Sequence, residues 1–163
     1  MDTTPKAEYS LSLGAKVAGR GVVLLAKKRP LIFIWINFFG TWFIGGAALM
    51  LYRGSTSILP IVCLITLLIS LPWFFLLTSK FGFCRLTGMP RAIPWLVAMG
   101  IAIREFINGS YINQPEGYYI FLVGFLIING IATLWDFFDI YQWVRGDRME
   151  HPDTGFFSGA NKG

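Results

Sequence analysis

Long apolar runs separated by short polar turns set the organisation of this chain. Pro30 opens a charge-free run from Leu31 to Tyr52. Proline suits the first turn of a helix, where its missing N–H has no partner to lose. The 22 residues from 31 to 52 reach ~33 Å as a helix, enough for the ~30 Å hydrocarbon core of a bilayer. A polar turn, Arg53 to Ser57 (RGSTS), leads to a second apolar run over 58–79. Pro60 sits in its first turn, and Pro72, deeper inside, predicts a kink or an early end. A run over 118–141 follows the turn Asn113 to Gly117 (NQPEG). Tyr118 and Tyr119 mark one of its ends, and Trp135, Tyr141 and Trp143 the other, as interfacial aromatic belts do.

The run between these two is ambiguous. Ala92 to Ile103 is apolar but short, and Arg104, Glu105 and FINGSYI follow it. One reading is a crossing helix over 92–112 that carries both charges in its outer half. The other is a re-entrant or interfacial piece, which the length of 92–103 alone favours. Charge asymmetry arbitrates. A full crossing places Lys6, Lys16, Arg20, Lys27, Lys28, Arg29, Lys80, Arg85, Arg91, Arg145, Arg148 and Lys162 on one side, 12 of the 14 basic residues. Only Arg53 and Arg104 remain opposite. The positive-inside rule therefore favours four spans with both termini cytoplasmic.

Ahead of the spans, residues 11–29 mix Leu and Val with Lys16, Arg20, Lys27, Lys28 and Arg29. On a helix Lys16, Arg20 and Lys27 form one stripe. This predicts a basic amphipathic segment in the cytoplasmic headgroup layer, weakened as a helix by Gly14, Gly19 and Gly21. The expected organisation is a basic N-terminal segment over 1–29, a four-helix transmembrane domain over 30–145, and a flexible cytoplasmic tail over 146–163.

Composition agrees. Of the 163 residues, 55% are hydrophobic and 14% charged, against about 25% charged in a soluble domain. Mean hydropathy is +0.58. The fold class is thus an all-α membrane protein, with four transmembrane helices and the basic N-terminal segment. The net charge of +5 flanks the apolar runs, so it points to membrane orientation and not to nucleic acid. The charge asymmetry fits a bacterial inner membrane.

Several chemistries are disfavoured. The single histidine, His151, lies in the polar tail, so a haem ligand inside the bundle is not supplied. Cys63 and Cys84 form no C-x-x-C pair, which disulfide exchange needs. No H-E-x-x-H motif or Gly-rich phosphate loop occurs. No cofactor or metal is expected.

Three groups of polar residues stand out. Charges within spans are expensive, which singles out Arg104 and Glu105. Arg104, Asn108 and Tyr111 share a helical face that suits an outward-facing cavity. Asp136 and Asp139, three apart near the inner end of the last span, face Lys80, Arg85 and Arg91 on the same side. They predict ion pairs fixing the loop to the helix. Asn37 and Asn129 are single amides in apolar spans, where such groups bond across helices. Gly40, Gly45, Gly46, Ala47, Ala48, Ala98 and Ala102 permit close helix approach.

In size the chain resembles dimeric multidrug exporters and lipoprotein signal peptidases. It lacks the first-span Glu of the former, and its Asp pair sits at the opposite end from the catalytic pair of the latter. No family is assigned. The expected role is a non-catalytic accessory subunit of a larger membrane complex, with lipid and other membrane subunits, or a second copy, as partners. The alternative is a small oligomeric transporter or channel using Arg104. A lipid-acting enzyme would have to rely on Asp136 and Asp139.

Overall fold

Turn chemistry at the two ends of the bundle fixes where its helices start and stop. In a computed structural model, residues 10–28, 30–81 and 85–146 are described, and the statements below concern these. The Cys84, Arg29 and His151 expectations, and most of the tail, lie outside them. The described chain is all-helical, with 88% helix and no strand. Its helices are α1 (Leu11–Lys28), α2 (Pro30–Gly40), a π-helical segment (Thr41–Gly45), α3 (Gly46–Tyr52), α4 (Leu59–Phe81), α5 (Met89–Ile107) and α6 (Tyr118–Val144). Short 3-10 turns cover Arg85–Gly88 and Ser110–Asn113.

Three stretches are long and apolar enough to cross a membrane: Phe33–Tyr52, Leu59–Phe81 and Tyr118–Val144. The first runs from α2 through the π segment into α3 without a break, because Gly40, Gly45 and Gly46 all keep right-handed helical dihedrals. The outward surface is apolar, with Leu68 70% and Leu134 73% exposed. α4 continues through Pro72 to Phe81, so the proline does not end that helix as its position allowed.

The expected helix over 92–112 needs correction. α5 starts earlier, at Met89, and stops at Ile107. Gly109 takes a left-handed φ of +66°, a conformation open to glycine and costly to most L-residues. The Asn108 and Gly109 amides bond back to the Arg104 and Phe106 carbonyls, closing the helix as a left-handed cap does. The five residues assigned to the last helical turn instead form this turn and the following 3-10 segment.

Aromatic rings fill the middle of the bundle. Phe43 lies 4.2 Å from Phe39, 4.6 Å from Trp95 and 4.9 Å from Phe125, the last edge-on at 87°. The separations to Trp95 and Phe125 fall within the 4.5–7 Å range that, with tilted planes, suits the ring quadrupoles. Ala47, Ala98 and Ala102 are fully buried beside these rings and let the backbones close in. Gly124 matters for the same reason: a Cβ there would sit 2.4 Å from the Trp42 ring.

α1 is packed, and its chief partner is α4. The Ser10 amide donates to Ser79 Oγ at 3.1 Å. A Cβ on Gly14 would lie 1.9 Å from the Phe75 carbonyl oxygen, so only glycine permits this backbone approach. Ser10 beside Ser79 and Gly14 beside Phe75 make the two helices antiparallel there. α5 and α6 are also antiparallel: Arg91 meets Asp136 at one end, and Glu105 meets Tyr118 at the other.

Candidate functional site

Among the described residues, the polar side chains that bond α5 and α6 to each other and to the turn before α4 gather at the two ends of the α5–α6 pair. At the end near Tyr118, the turn before α4 brings Ser57 to the C-terminal half of α5. Ser57 Oγ donates to Glu105 Oε1 at 2.5 Å, and the Tyr118 hydroxyl donates to Glu105 Oε2 at 2.5 Å. The Tyr118 oxygen also lies 2.6 Å from Ser57 Oγ. Both carboxylate oxygens of Glu105 therefore have a hydroxyl donor, each from a different element. Tyr118 is fully buried. Ser57 Oγ further accepts the Leu59 amide at 3.0 Å, which satisfies one of the orphan N–H groups at the start of α4.

A second layer stitches the two connecting turns at this end. Gln114 Oε1 accepts from Ser55 Oγ at 2.8 Å, from the Thr56 amide at 3.1 Å and from the Ser57 amide at 3.3 Å. Its Nε2 donates to Thr56 Oγ1 at 3.1 Å. Arg53 donates to the Glu116 carbonyl at 2.8 Å. Gln114 thus fixes the backbone that presents Ser57 to Glu105.

At the opposite end, Arg91 grips Asp136 with two parallel bonds, Nε to Oδ2 at 2.7 Å and Nη2 to Oδ1 at 2.5 Å. This fork-to-carboxylate geometry is the strong form of ion pair. The guanidinium carbon lies 5.3 Å from the Phe39 ring centroid, so a cation–π contact holds its other side. The Asp136 side chain is only 5% exposed, that of Arg91 35%. Asp139 is buried one turn further along. Below it, Leu77, Leu86, Trp73, Met89 and Trp143 close the end of the bundle.

The candidates from the sequence separate clearly. Arg104 and Asn108 are exposed, while Glu105 is turned inward. Tyr111 stacks near Phe106 and Tyr119, at 6.1 and 5.0 Å. Arg91 is one of the three cations expected near Asp136 and Asp139, and it makes the pair with Asp136. Neither lone amide forms the interhelical bond expected of it. Asn37 is exposed and donates to the Phe33 carbonyl of its own helix at 2.8 Å. Asn129 is buried, and both its amide atoms lack a partner among the described residues.

Sequence reasoning treated Ser57 and Gln114 as turn residues and Tyr118 as a belt residue. A usable signal was present: a four-span topology puts the RGSTS turn, Glu105 and Tyr118 at the same end. Comparison with protein families, with characterised proteins and with solved structures gives no match, so the clusters are read from their own geometry. Both resemble clamps. Replacing Tyr118 with Phe removes one of the two donors to Glu105. Thermal unfolding in detergent should show a loss of about 1.5–3 kcal/mol, the range for a hydrogen bond to a charged group. An unchanged melting temperature would deny the cluster its role as a clamp.

Proposed function

We propose that this chain is a four-span membrane protein with both termini cytoplasmic, acting as a non-catalytic subunit of a larger membrane assembly. The observation that carries the role is the way its interior is used. The centre is filled by Phe39, Phe43, Trp95 and Phe125. Polar groups at both ends are committed to joining helix to helix. Such an interior suits holding a shape better than moving a solute or turning over a substrate.

The topology is supported by α5. It lies antiparallel to α6, and its residues 91 and 105 meet opposite ends of that helix. Over 14 residues this covers ~21 Å of helix axis, which supports a crossing helix over a short re-entrant piece. The 12-to-2 split of basic residues then sets the cytoplasmic side. The lone charges of α5 are accommodated at an edge: Glu105 is paired, and exposed Arg104 can reach the headgroups.

Reporter fusions after Gly54 and Gly117 should read external, and fusions after Gly88 and Gly146 cytoplasmic. An external reading after Gly146 overturns the four-span topology. Gentle detergent extraction from native membranes should recover the chain in a defined stoichiometry with other membrane subunits. Recovery as a homo-oligomer whose ion flux disappears on changing Arg104 would replace the subunit reading with a transporter.

A further inference from the structure

Three features lie outside the two clamps: the unpartnered Asn129 amide, a shallow groove along the first span, and the exposed side of α1. The last is the best defined. Among the side chains of α1 that are described, Gly14, Ala18 and Gly21 are the buried positions, and they recur on one stripe. At ~100° per residue, Lys16, Arg20 and Lys27 fall roughly 200–240° away, on the opposite side of the helix. All three are exposed. Aliphatic residues flank this basic ridge on both sides: Val23 is 55% exposed on one flank and Leu13 46% on the other.

Docking against α4 therefore does more than bury α1. It fixes the rotation of the helix about its own axis. A free amphipathic helix finds its orientation only when it meets a surface, and pays ordering entropy then. Here the glycine contact with the Phe75 backbone settles that rotation beforehand. Cations along one edge with aliphatic groups beside them match a phospholipid boundary, where headgroup phosphates lie next to acyl chains. We propose that the Lys16–Arg20–Lys27 ridge is a preoriented binding surface for anionic phospholipid headgroups, resting on the reading above that α1 is cytoplasmic. The ligand is the lipid phosphate diester carried in the bilayer; charge complementarity and the aliphatic flanks select it over a soluble anion.

The test uses the intact protein in nanodiscs of phosphatidylcholine, with and without added phosphatidylglycerol. The lipids retained on the protein are then counted by native mass spectrometry. The wild type should retain phosphatidylglycerol in preference. Each of Lys16→Gln, Arg20→Gln and Lys27→Gln should lower that preference by at most about fivefold, since one basic residue near an anionic surface contributes about that factor. The triple variant should lose it. The pair Lys16→Gln with Ala15→Lys keeps the net charge but moves one cation roughly 100° round the helix, off the ridge, and it should behave like Lys16→Gln alone. Arg53→Gln, at the other end, should leave the preference unchanged.

No preference in the wild type overturns the proposal. So does a triple variant that matches the wild type, or a charge-moved variant that keeps full preference. Inorganic phosphate that competes as well as the lipid does would overturn the assignment to a lipid. Both leaflets are accessible in a nanodisc, so a wrong topology would change the reporter fusions and leave this measurement intact.

Discussion

Replacing Arg91 with Met is expected to destabilise the protein by about 3–5 kcal/mol, the range for stranding one partner of a buried ion pair. The exposure of the two side chains explains the size. Asp136 keeps only 5% of its side chain accessible, whereas Arg91 keeps 35%. Removing the guanidinium leaves a carboxylate that cannot reach water. The reverse change, Asp136→Leu, should be milder, because the long Arg91 side chain can swing outward. The double variant Arg91→Met with Asp136→Leu should recover much of the loss, since an apolar pair of similar volume replaces the ions without stranding either. Arg91→Lys should fall between, because an ammonium lacks the fork that makes two bonds at once. Unfolding in detergent across this cycle gives the coupling energy directly. Independent, additive losses would mean that the N-terminal end of α5 is not held by the Arg91–Asp136 pair.

Gly14→Val should release α1 from α4, while Gly19→Val on the same helix should change little. The contrast follows from what each new side chain meets. At Gly14 the obstacle is the Phe75 backbone, with carbonyl oxygen, carbon and Cα all within 2.9 Å of the new Cβ. A backbone inside a helix has no rotamer to yield, so the helices must part. At Gly19 nothing lies within 4 Å, and valine carries only its small propensity difference in a helix. Hydrogen exchange of the α1 amides should report this: strong loss of protection in Gly14→Val, near wild-type protection in Gly19→Val. The Ser10–Ser79 bond would break with the first substitution only. Equal protection in both variants would show that α1 is not seated on α4 through Gly14.

The helices were legible because apolar runs of membrane length leave little choice. The runs over 31–52, 58–79 and 118–141 appear as continuous helical stretches, with ends shifted by no more than three residues. The third run was harder to delimit. Its helix end depends on one left-handed glycine, Gly109, and hydropathy does not register backbone dihedrals. Of the two effects expected of Pro72, a kink or an early end, the early end does not occur, since α4 continues to Phe81. In an apolar surrounding, helical hydrogen bonds elsewhere have no competing water partner. The clamp at Asp136 was foreshadowed by charge signs alone. The cluster around Glu105 was not, because two of its donors are neutral hydroxyls that look like ordinary turn and belt residues. Their role appears only when the distance between Ser57 and Tyr118, 61 positions apart in the chain, becomes known.

The π segment at Thr41–Gly45 makes the first span two half-helices that share an axis but not a phase. Bonding from each residue to the fifth along widens the turn, so the wheel on one side of it is rotated relative to the wheel on the other. Phe39, Phe43, Ala47 and Met50, at steps of four, four and three, all lie on the buried side. Asn37, Thr41 and Ile44, spaced four and three apart, share the outward side along the groove they form with Gly40 and Gly45. Removing one residue from the π segment would be a change of phase as well as of length: everything on one side would turn by roughly a quarter-revolution, and the lipid would meet a different helix face.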